Sequence, residues 1–505
     1  MIASEPARRI SWSDPSLGLV LAALAALTAI RIVGLRYSVV DLFFDEAQYW
    51  AWSRELAFGY FSKPPLLAWI IAAFDPLCGS GEACVRAASP VIYFVTCFVI
   101  YAIANGLYGR RVAAWSALTF ALGTGLTFSS RIISTDVPLI LFWAVALLAY
   151  VRLLPSPDWR WSVALGVALG LGLLAKYAMV YFVLCAICAA AFDRDARALL
   201  ARPQTWVALA IAFVIVAPNL FWNMANHFVT FRHTGDNITG DGLRLQPLQA
   251  LGFVGSQFGV AGPLIFAGFV VILVRMWREP VSREDRLMLA FAIPPLALVA
   301  TLSLVRGANA NWAAVSILSM HLLVVAWWLR DGLWSWLKAT LAIGLIVQAL
   351  LLVGDAYADR LTVAALGSKR DLYRRTLGSR ELGQQAAWLA RAAHAPTVAA
   401  EGRAAVAGLI YYLRNDPVRA LSWPISAIPD HQFDLTRALD NSAEEPVVFI
   451  SYCPFGSRLG RFYQDVTPLG PVVVSTGPTT RNEWHAFRLA KRQRPIEPLG
   501  PCAPP

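Results

Sequence analysis

Apolar segments long enough to cross a lipid bilayer recur along most of this chain, and no other feature constrains its fold as tightly. A bilayer core takes about 20 consecutive apolar residues in a helix. Runs near that length lie at roughly 17–35, 87–107, 113–130, 137–153, 162–175, 177–192, 205–222, 250–274, 287–305, 313–329 and 335–354, about eleven in all. Hydrophobic residues make up 57% of the chain and charged ones only 15%, against about 25% charged in a soluble domain. A disordered chain and an ordinary soluble enzyme are thereby excluded.

The net charge is +11. A basic balance suits nucleic acid when it forms a patch. Here the basic residues fall between apolar runs, as in a multi-pass membrane protein with positive cytoplasmic loops, so no nucleic-acid partner is expected. Placing Arg8-Arg9 in the cytoplasm and threading onward puts Arg110-Arg111, Arg152/Arg160, Arg194/Arg197/Arg202, Arg275 to Arg286 and Arg330/Lys338 on that same side. The first 35 residues then read as a retained signal anchor, since no clean small-residue cleavage site follows the apolar run.

The opposite side receives a long first loop (about 37–86), Ser134-Thr135-Asp136, Lys176, a loop near 223–248, and Arg306 to Trp312. From about 355 the composition changes. Short β-rich runs such as 446–450 and 471–474 alternate with helical-period stretches such as 381–393, which predicts a small extracytoplasmic α/β domain over 355–505 after a transmembrane domain over 1–354. The expected fold class is thus mainly α, a polytopic helical membrane domain followed by that α/β domain. Cys97, Cys185 and Cys188 sit in apolar runs as small packing residues. Cys78 and Cys84 flank a glycine-rich segment and would close a small disulfide loop outside the cytoplasm; Cys453 and Cys502 are a second candidate pair.

Ionisable residues near a membrane are costly and usually functional. The first loop reads Asp41-Leu42-Phe43-Phe44-Asp45-Glu46-Ala47-Gln48-Tyr49-Trp50 and later Gly59-Tyr60-Phe61-Ser62-Lys63-Pro64-Pro65. Apolar residues at helical spacing predict that Asp45 opens a helix lying along the interface. Asp45, Lys63, Asp136 and Lys176 share one side. A carboxylate there deprotonates a hydroxyl within reach, and lysines hold a departing phosphate. Each residue also has a structural reading: Asp45 and Asp136 as helix caps, Lys63-Pro64-Pro65 as a helix start, and Lys176 as a side chain reaching for the interface.

These residues carry a resemblance. Asp45-Glu46-Ala47-x-Tyr49-Trp50, Gly59 to Leu66, Ser134-Thr135-Asp136-x-Pro138-Leu139, Gly170 to Tyr177, and Asn309-x-Asn311-Trp312-x-Ala314 resemble, in order and spacing, the motifs of bacterial GT-C glycosyltransferases, the superfamily of the protein O-mannosyltransferases and the lipid A aminoarabinose transferase. The resemblance implies Asp45 and Glu46 as catalytic carboxylates, Lys63 and Lys176 as donor-phosphate ligands, and Asp136, Tyr60, Asn311 and Trp312 at the donor/acceptor cavity. It gives the C-terminal domain little part. It also implies a polyprenyl-phosphate-linked sugar as donor, an envelope acceptor (lipid A, another glycolipid, a polysaccharide or a protein), and a site facing the periplasm from a bacterial inner membrane. In the aminoarabinose branch a glutamate precedes the lysine and helps bind a metal; here Ser62 stands there. No metal ligands are assigned, and a divalent cation at Asp45, Glu46, His227 or His233 is left open.

The expected reaction is an inverting glycosyl transfer, with the lipid tail of the donor in an apolar groove between spans and one of Arg131, Arg232 or Arg306 assisting the phosphate. The rival reading is a transporter or flippase of lipid-linked sugars. No internal repeat is evident and the polar residues cluster toward one surface, which favours the enzyme. Gly166-x-x-x-Gly170 lacks the lysine–serine ending of a phosphate loop and lies in an apolar run.

Overall fold

In the computed structural model the described residues are 16–239, 245–361 and 371–500. Arg8-Arg9 and Cys502 lie outside them. Among them, six helices are long and apolar enough to cross a membrane: Leu17–Tyr37, Glu82–Tyr108, Asp136–Leu153, Pro203–Ala225, Arg283–Arg306 and Trp334–Ala356. The pair Pro247–Val260 and Pro263–Arg275, bent by 119°, adds a seventh if counted as one span. By this measure the count falls short of the eleven expected. The run 113–130 breaks at Gly123 into Arg110–Ala121 and Thr124–Ser129. The run 177–192 opens as a 3-10 turn. Trp159–Ala175 and Ser316–Arg330 have 17 and 15 residues, and at 1.5 Å per residue such helices fall short of the roughly 30 Å bilayer core.

These helices share one hydrophobic core. Some buried polar groups of these helices pair with one another, which lowers their cost in a non-aqueous interior. Arg31 donates to Gln348 Oε1 (2.8 Å) and to the carbonyl of Ala121 (2.7 Å), linking the first apolar helix to the last. His321 pairs with Thr119 at 2.8 Å. The glycines of Gly166-x-x-x-Gly170 let two helices touch. A Cβ at Gly166 would lie 2.6 Å from the carbonyl oxygen of Ala208, and one at Gly170 2.8 Å from Ile215 Cβ. This is small-residue packing between neighbouring helices.

The C-terminal part holds a five-stranded sheet, β1 (Thr397–Ala400), β2 (Arg419–Ser422), β3 (Val447–Ser451), β4 (Tyr463–Ser475) and β5 (Arg481–Arg492), in the order β2-β1-β3-β5-β4. β1 runs parallel to β2 and β3; β5 is antiparallel to β3 and β4. The central strands β1 and β3 are buried throughout, which explains why they read as unbroken apolar runs. Helices Ser379–Ala392 and Arg403–Tyr412 pack with this sheet. Their core is continuous with that of the first loop, joining Trp50, Trp52 and Leu67 to Val406, Ile450 and Trp484. The C-terminal part is therefore joined to the first loop by apolar packing.

Cys78 and Cys84 form a disulfide with Cα atoms 5.6 Å apart. Cys453 is also disulfide-bonded. Cys97, Cys185 and Cys188 are free thiols.

Candidate functional site

The first-loop helix spans Phe44–Ser53, with Asp45 and Glu46 in its first turn, where the dipole favours anions. The two carboxylates have different surroundings. Glu46 is 2% exposed. It accepts from the Phe43 amide (2.9 Å) and the Ile133 amide (3.0 Å), and from Arg86 Nε (2.9 Å) and Nη2 (2.7 Å). Arg86 also donates to the carbonyls of Val40 (3.0 Å) and Asp41 (2.7 Å). A buried bidentate pair with its remaining hydrogen-bonding capacity met is a rigid anchor. Glu46, not Asp45, reaches back to the helix start.

Asp45 keeps about a third of its side chain exposed and lies 3.3 Å from Arg403 Nη2, on the helix after β1. Burial raises its pKa; Arg403 and then Lys63 oppose that rise, Glu46 adds to it, and Arg375 opposes it. Arg403 and Arg375 also cover the rings of Phe44 and Phe43. The loop carrying Lys63 is fixed by its backbone. The Phe61 amide donates to Gln432 Oε1 (2.7 Å), the Tyr60 carbonyl accepts from Thr230 Oγ1 (2.7 Å), and that of Phe58 accepts from Asn219 Nδ2 (2.6 Å). Burial pushes the Lys63 ammonium below the ordinary lysine range; the nearby charge of Lys176 pushes it further down, and Asp45 and Asp136 push it back up.

Asp136 opens the helix Asp136–Leu153 without capping it. One oxygen accepts from Lys176 Nζ (2.7 Å) and the other from Asn311 Nδ2 (2.6 Å). Three motifs far apart in sequence thus converge on one carboxylate. Lys176 sits there because the helix Trp159–Ala175 ends at it in an extended backbone; it is ion-paired with Asp136.

Beside these groups lies a cavity of about 810 Å³. Asp45, Glu46, Asp136 and Asn311 line it with apolar residues such as Phe120, Phe128, Ile140, Ile317 and Leu351. Lys63, Lys176, Tyr60 and Trp312 are not among its lining residues. Tyr60 stacks on Trp52 at 4.4 Å and its hydroxyl bonds to backbone of 52–57, which makes it a fixed part of the loop. Trp312 packs against Phe253, Val299 and Ala313. Arg131 lines the cavity but is ion-paired with Asp355, which also accepts from the Tyr373 hydroxyl (3.0 Å).

Sequence reasoning missed Arg86, Arg375 and Arg403. Arg86 immediately precedes the apolar run 87–107, and its adjacency to a span was the available signal. Nothing local marks Arg375 and Arg403, whose part depends on tertiary docking. Among the described residues no group of three or more His, Cys, Asp or Glu side chains is arranged to hold a metal. Glu46 is already occupied by Arg86, and the ring of His233 lies against Phe61.

Residues 62–222 match a family model described as dolichyl-phosphate-mannose-protein mannosyltransferase. Over 440 residues the chain is 31% identical to the lipid A galacturonosyltransferase RgtD of Rhizobium johnstonii, covering 87% of this chain and 91% of that protein. The chain belongs to the GT-C family of membrane glycosyltransferases. A second relative, the lipopolysaccharide core galacturonosyltransferase RgtB of the same organism, is 27% identical over 239 residues, 46% of this chain and 47% of that protein. The fold is shared with the crystal structure of ArnT from Cupriavidus metallidurans bound to undecaprenyl phosphate, with a TM-score of 0.64 at 18% identity over 93% of this chain and 98% of that one. Family membership and the many apolar helices make this a multi-pass membrane protein. Where the resemblance leads to a glutamate before the first-loop lysine, Ser62 is buried and its hydroxyl has no hydrogen-bond partner among the described residues.

Proposed function

We propose that this protein is an inverting glycosyltransferase that moves a sugar from a polyprenyl-phosphate carrier to an envelope acceptor on the periplasmic face of a bacterial inner membrane. The observation that carries this reading is the placement of Asp45, half-open and unanchored by Arg86, at a mostly apolar cavity, with Lys63, Lys176 and Asp136 close by. The apolar wall suits a prenyl chain and the lysines suit its phosphate.

In the proposed reaction an acceptor hydroxyl attacks the anomeric carbon and loses its proton to Asp45. The bond from that carbon to the carrier phosphate breaks with inversion, and the phosphate leaves as an anion held by Lys63 and Lys176. Within a partly dry site these charges act more strongly than in water. The glutamate–arginine anchor places Asp45, so Glu46 acts as a positioning residue in this reading rather than as a second catalytic carboxylate. The names of the relatives point to a uronic sugar as donor and lipid A as acceptor, and these are the first pair to test. The shorter apolar helices pack in the same core as the long ones, so we extend the reading to all eleven apolar runs as membrane passes, with the sheet region outside the cytoplasm.

The test is transfer by purified full-length protein, using polyprenyl-phosphate galacturonic acid and other polyprenyl-phosphate sugars with extracted lipid A. Turnover in the wild type that falls by about 10²–10⁴-fold in Asp45→Asn fits a general base. Near-normal turnover of that variant would remove Asp45 from the role. Movement of lipid-linked sugar across liposomes without release of polyprenyl phosphate would favour the transporter instead.

A further inference from the structure

A second cavity, of about 620 Å³, adjoins the first. Arg375 lines both, and Phe44, which precedes Asp45, is part of the second one's wall. Ala404 and Ala405, next in chain to the Arg403 that pairs with Asp45, complete that side. The second cavity differs in character from the first. Arg374, Arg375 and Arg481 line it and are all exposed. No carboxylate is among its described lining residues. Two nearby carboxylates are already engaged: Asp371 accepts from the hydroxyls of Thr479 (3.2 Å) and Thr480 (2.9 Å), and Glu381 accepts from the Ser475 amide (2.7 Å).

Two further observations point to a sugar. Tyr452, partly exposed in the wall, is backed by Trp484 with ring centroids 3.4 Å apart, and a ring fixed in this way suits the apolar side of a pyranose. Trp484 is 4% exposed, and its indole Nε1 is buried with no hydrogen-bond partner among the described residues. An unmet buried donor is costly, and an acceptor oxygen brought in by a ligand would satisfy it.

We propose that this second cavity binds the anionic sugar headgroup of the acceptor, a saccharide bearing a phosphate or a carboxylate, and delivers its hydroxyl to Asp45 past Arg375. The role as acceptor site rests on the proposed glycosyl transfer; the affinity for an anionic sugar does not. The guanidinium groups of Arg375 and Arg481, with no carboxylate among the described lining residues, favour negative charge. The arrangement separates the two substrates, with the lipid-linked donor in the apolar cavity and the charged acceptor in the polar one.

The experiment uses full-length protein in nanodiscs of neutral lipid. Glucosamine 1-phosphate, glucuronate and neutral N-acetylglucosamine are titrated against wild type, Arg481→Ala, Arg481→Glu and Arg481→Lys. Binding of an anionic sugar, weakened about tenfold or more in Arg481→Ala, abolished in Arg481→Glu and largely kept in Arg481→Lys, is expected for charge-assisted recognition. Response to the first probe alone assigns a phosphate, and to the second alone a carboxylate. In the transfer assay the same alanine variant raises the acceptor KM with the donor KM and kcat unchanged. Failure of both anionic probes to bind, or binding indifferent to charge reversal, overturns the proposal. Normal transfer with an unchanged acceptor KM in Arg481→Ala would overturn the acceptor role and leave the glycosyl transfer standing. Arg481-dependent binding in a protein that transfers no sugar from any carrier would overturn the acceptor role and the transferase reading together, while the anionic-sugar site itself would stand.

Discussion

Asp45 and Glu46 are adjacent in sequence, yet their environments separate them. Glu46 is held by Arg86 and two amides, whereas Asp45 is half-open beside Arg403. Glu46→Gln leaves the Arg86 guanidinium buried without its counter-ion, a loss of about 3–5 kcal/mol, so a lower melting temperature is expected, together with reduced transfer. A variant as stable as wild type would show that the pair is not an anchor. For Asp45 the sign of the pH effect follows from its proposed role as base, which needs the ionised form. Its pKa is raised by burial, so activity should fall with decreasing pH at a value above the ordinary aspartate range. Arg403 holds that pKa down; Arg403→Ala therefore moves the acid limb of kcat/KM to higher pH. In the proposed reaction Lys63 binds phosphate as the cation; its pKa is lowered, so donor binding should weaken with rising pH before an ordinary lysine would titrate. A pH–rate profile of the two proteins measures both limbs, and an acid limb unmoved by Arg403→Ala would disconnect it from Asp45.

At the scale of the helix, the placement of Lys176 depends on how Trp159–Ala175 sits against Pro203–Ala225. Gly166 lies against the backbone of Ala208, and Gly170 against the side chain of Ile215, which brings the two helices close together. Gly166→Leu inserts a side chain where even a Cβ meets the carbonyl of Ala208 at 2.6 Å. Overpacking of this kind costs about 1–3 kcal/mol. Because Lys176 terminates that helix and pairs with Asp136, the same substitution should weaken donor binding as well as lower the melting temperature. Gly106→Ala, at a glycine with open space beyond its Cα, should change neither and serves as the control.

At the scale of the molecule, the C-terminal part holds the first loop in place. Arg380 binds Glu82 at 2.7 Å and, through its backbone amide, Asp41 at 3.1 Å. The Tyr412 hydroxyl accepts from the Leu42 amide (2.9 Å) and donates to Glu82 (3.1 Å). The Cys78–Cys84 disulfide closes the turn that leads into the helix of Glu82. Removing the side-chain links in Arg380→Ala/Tyr412→Phe, which keeps the Arg380 amide bond to Asp41, should cost about 1–3 kcal/mol, since each net bond contributes about 1 kcal/mol and Arg380 is partly exposed. Transfer should fall more than melting temperature predicts, because the loop bearing Asp45 loses its registration to Arg403. Activity that tracks stability alone would reduce the C-terminal part to a passive neighbour.

Composition and apolar runs sufficed to read a helical membrane protein with a small α/β region at its end, because burial in lipid requires uninterrupted apolar stretches that no soluble chain carries. The strings around Asp45, Lys63, Asp136, Lys176 and Asn311 stood out by their order and spacing, and the structure brings Asp136, Lys176 and Asn311 together. The number of long spans was not legible: a break at Gly123 or a 119° bend after Val260 is set by packing against neighbours, and an apolar run looks the same either way. Nor were the partners of the two first-loop carboxylates. Arg86 lies 40 residues from Glu46, and every long apolar helix but the first lies between Asp45 and Arg403 in the chain. Which carboxylate is anchored and which is left open depends on contacts between residues distant in sequence, and only the tertiary structure brings those residues together.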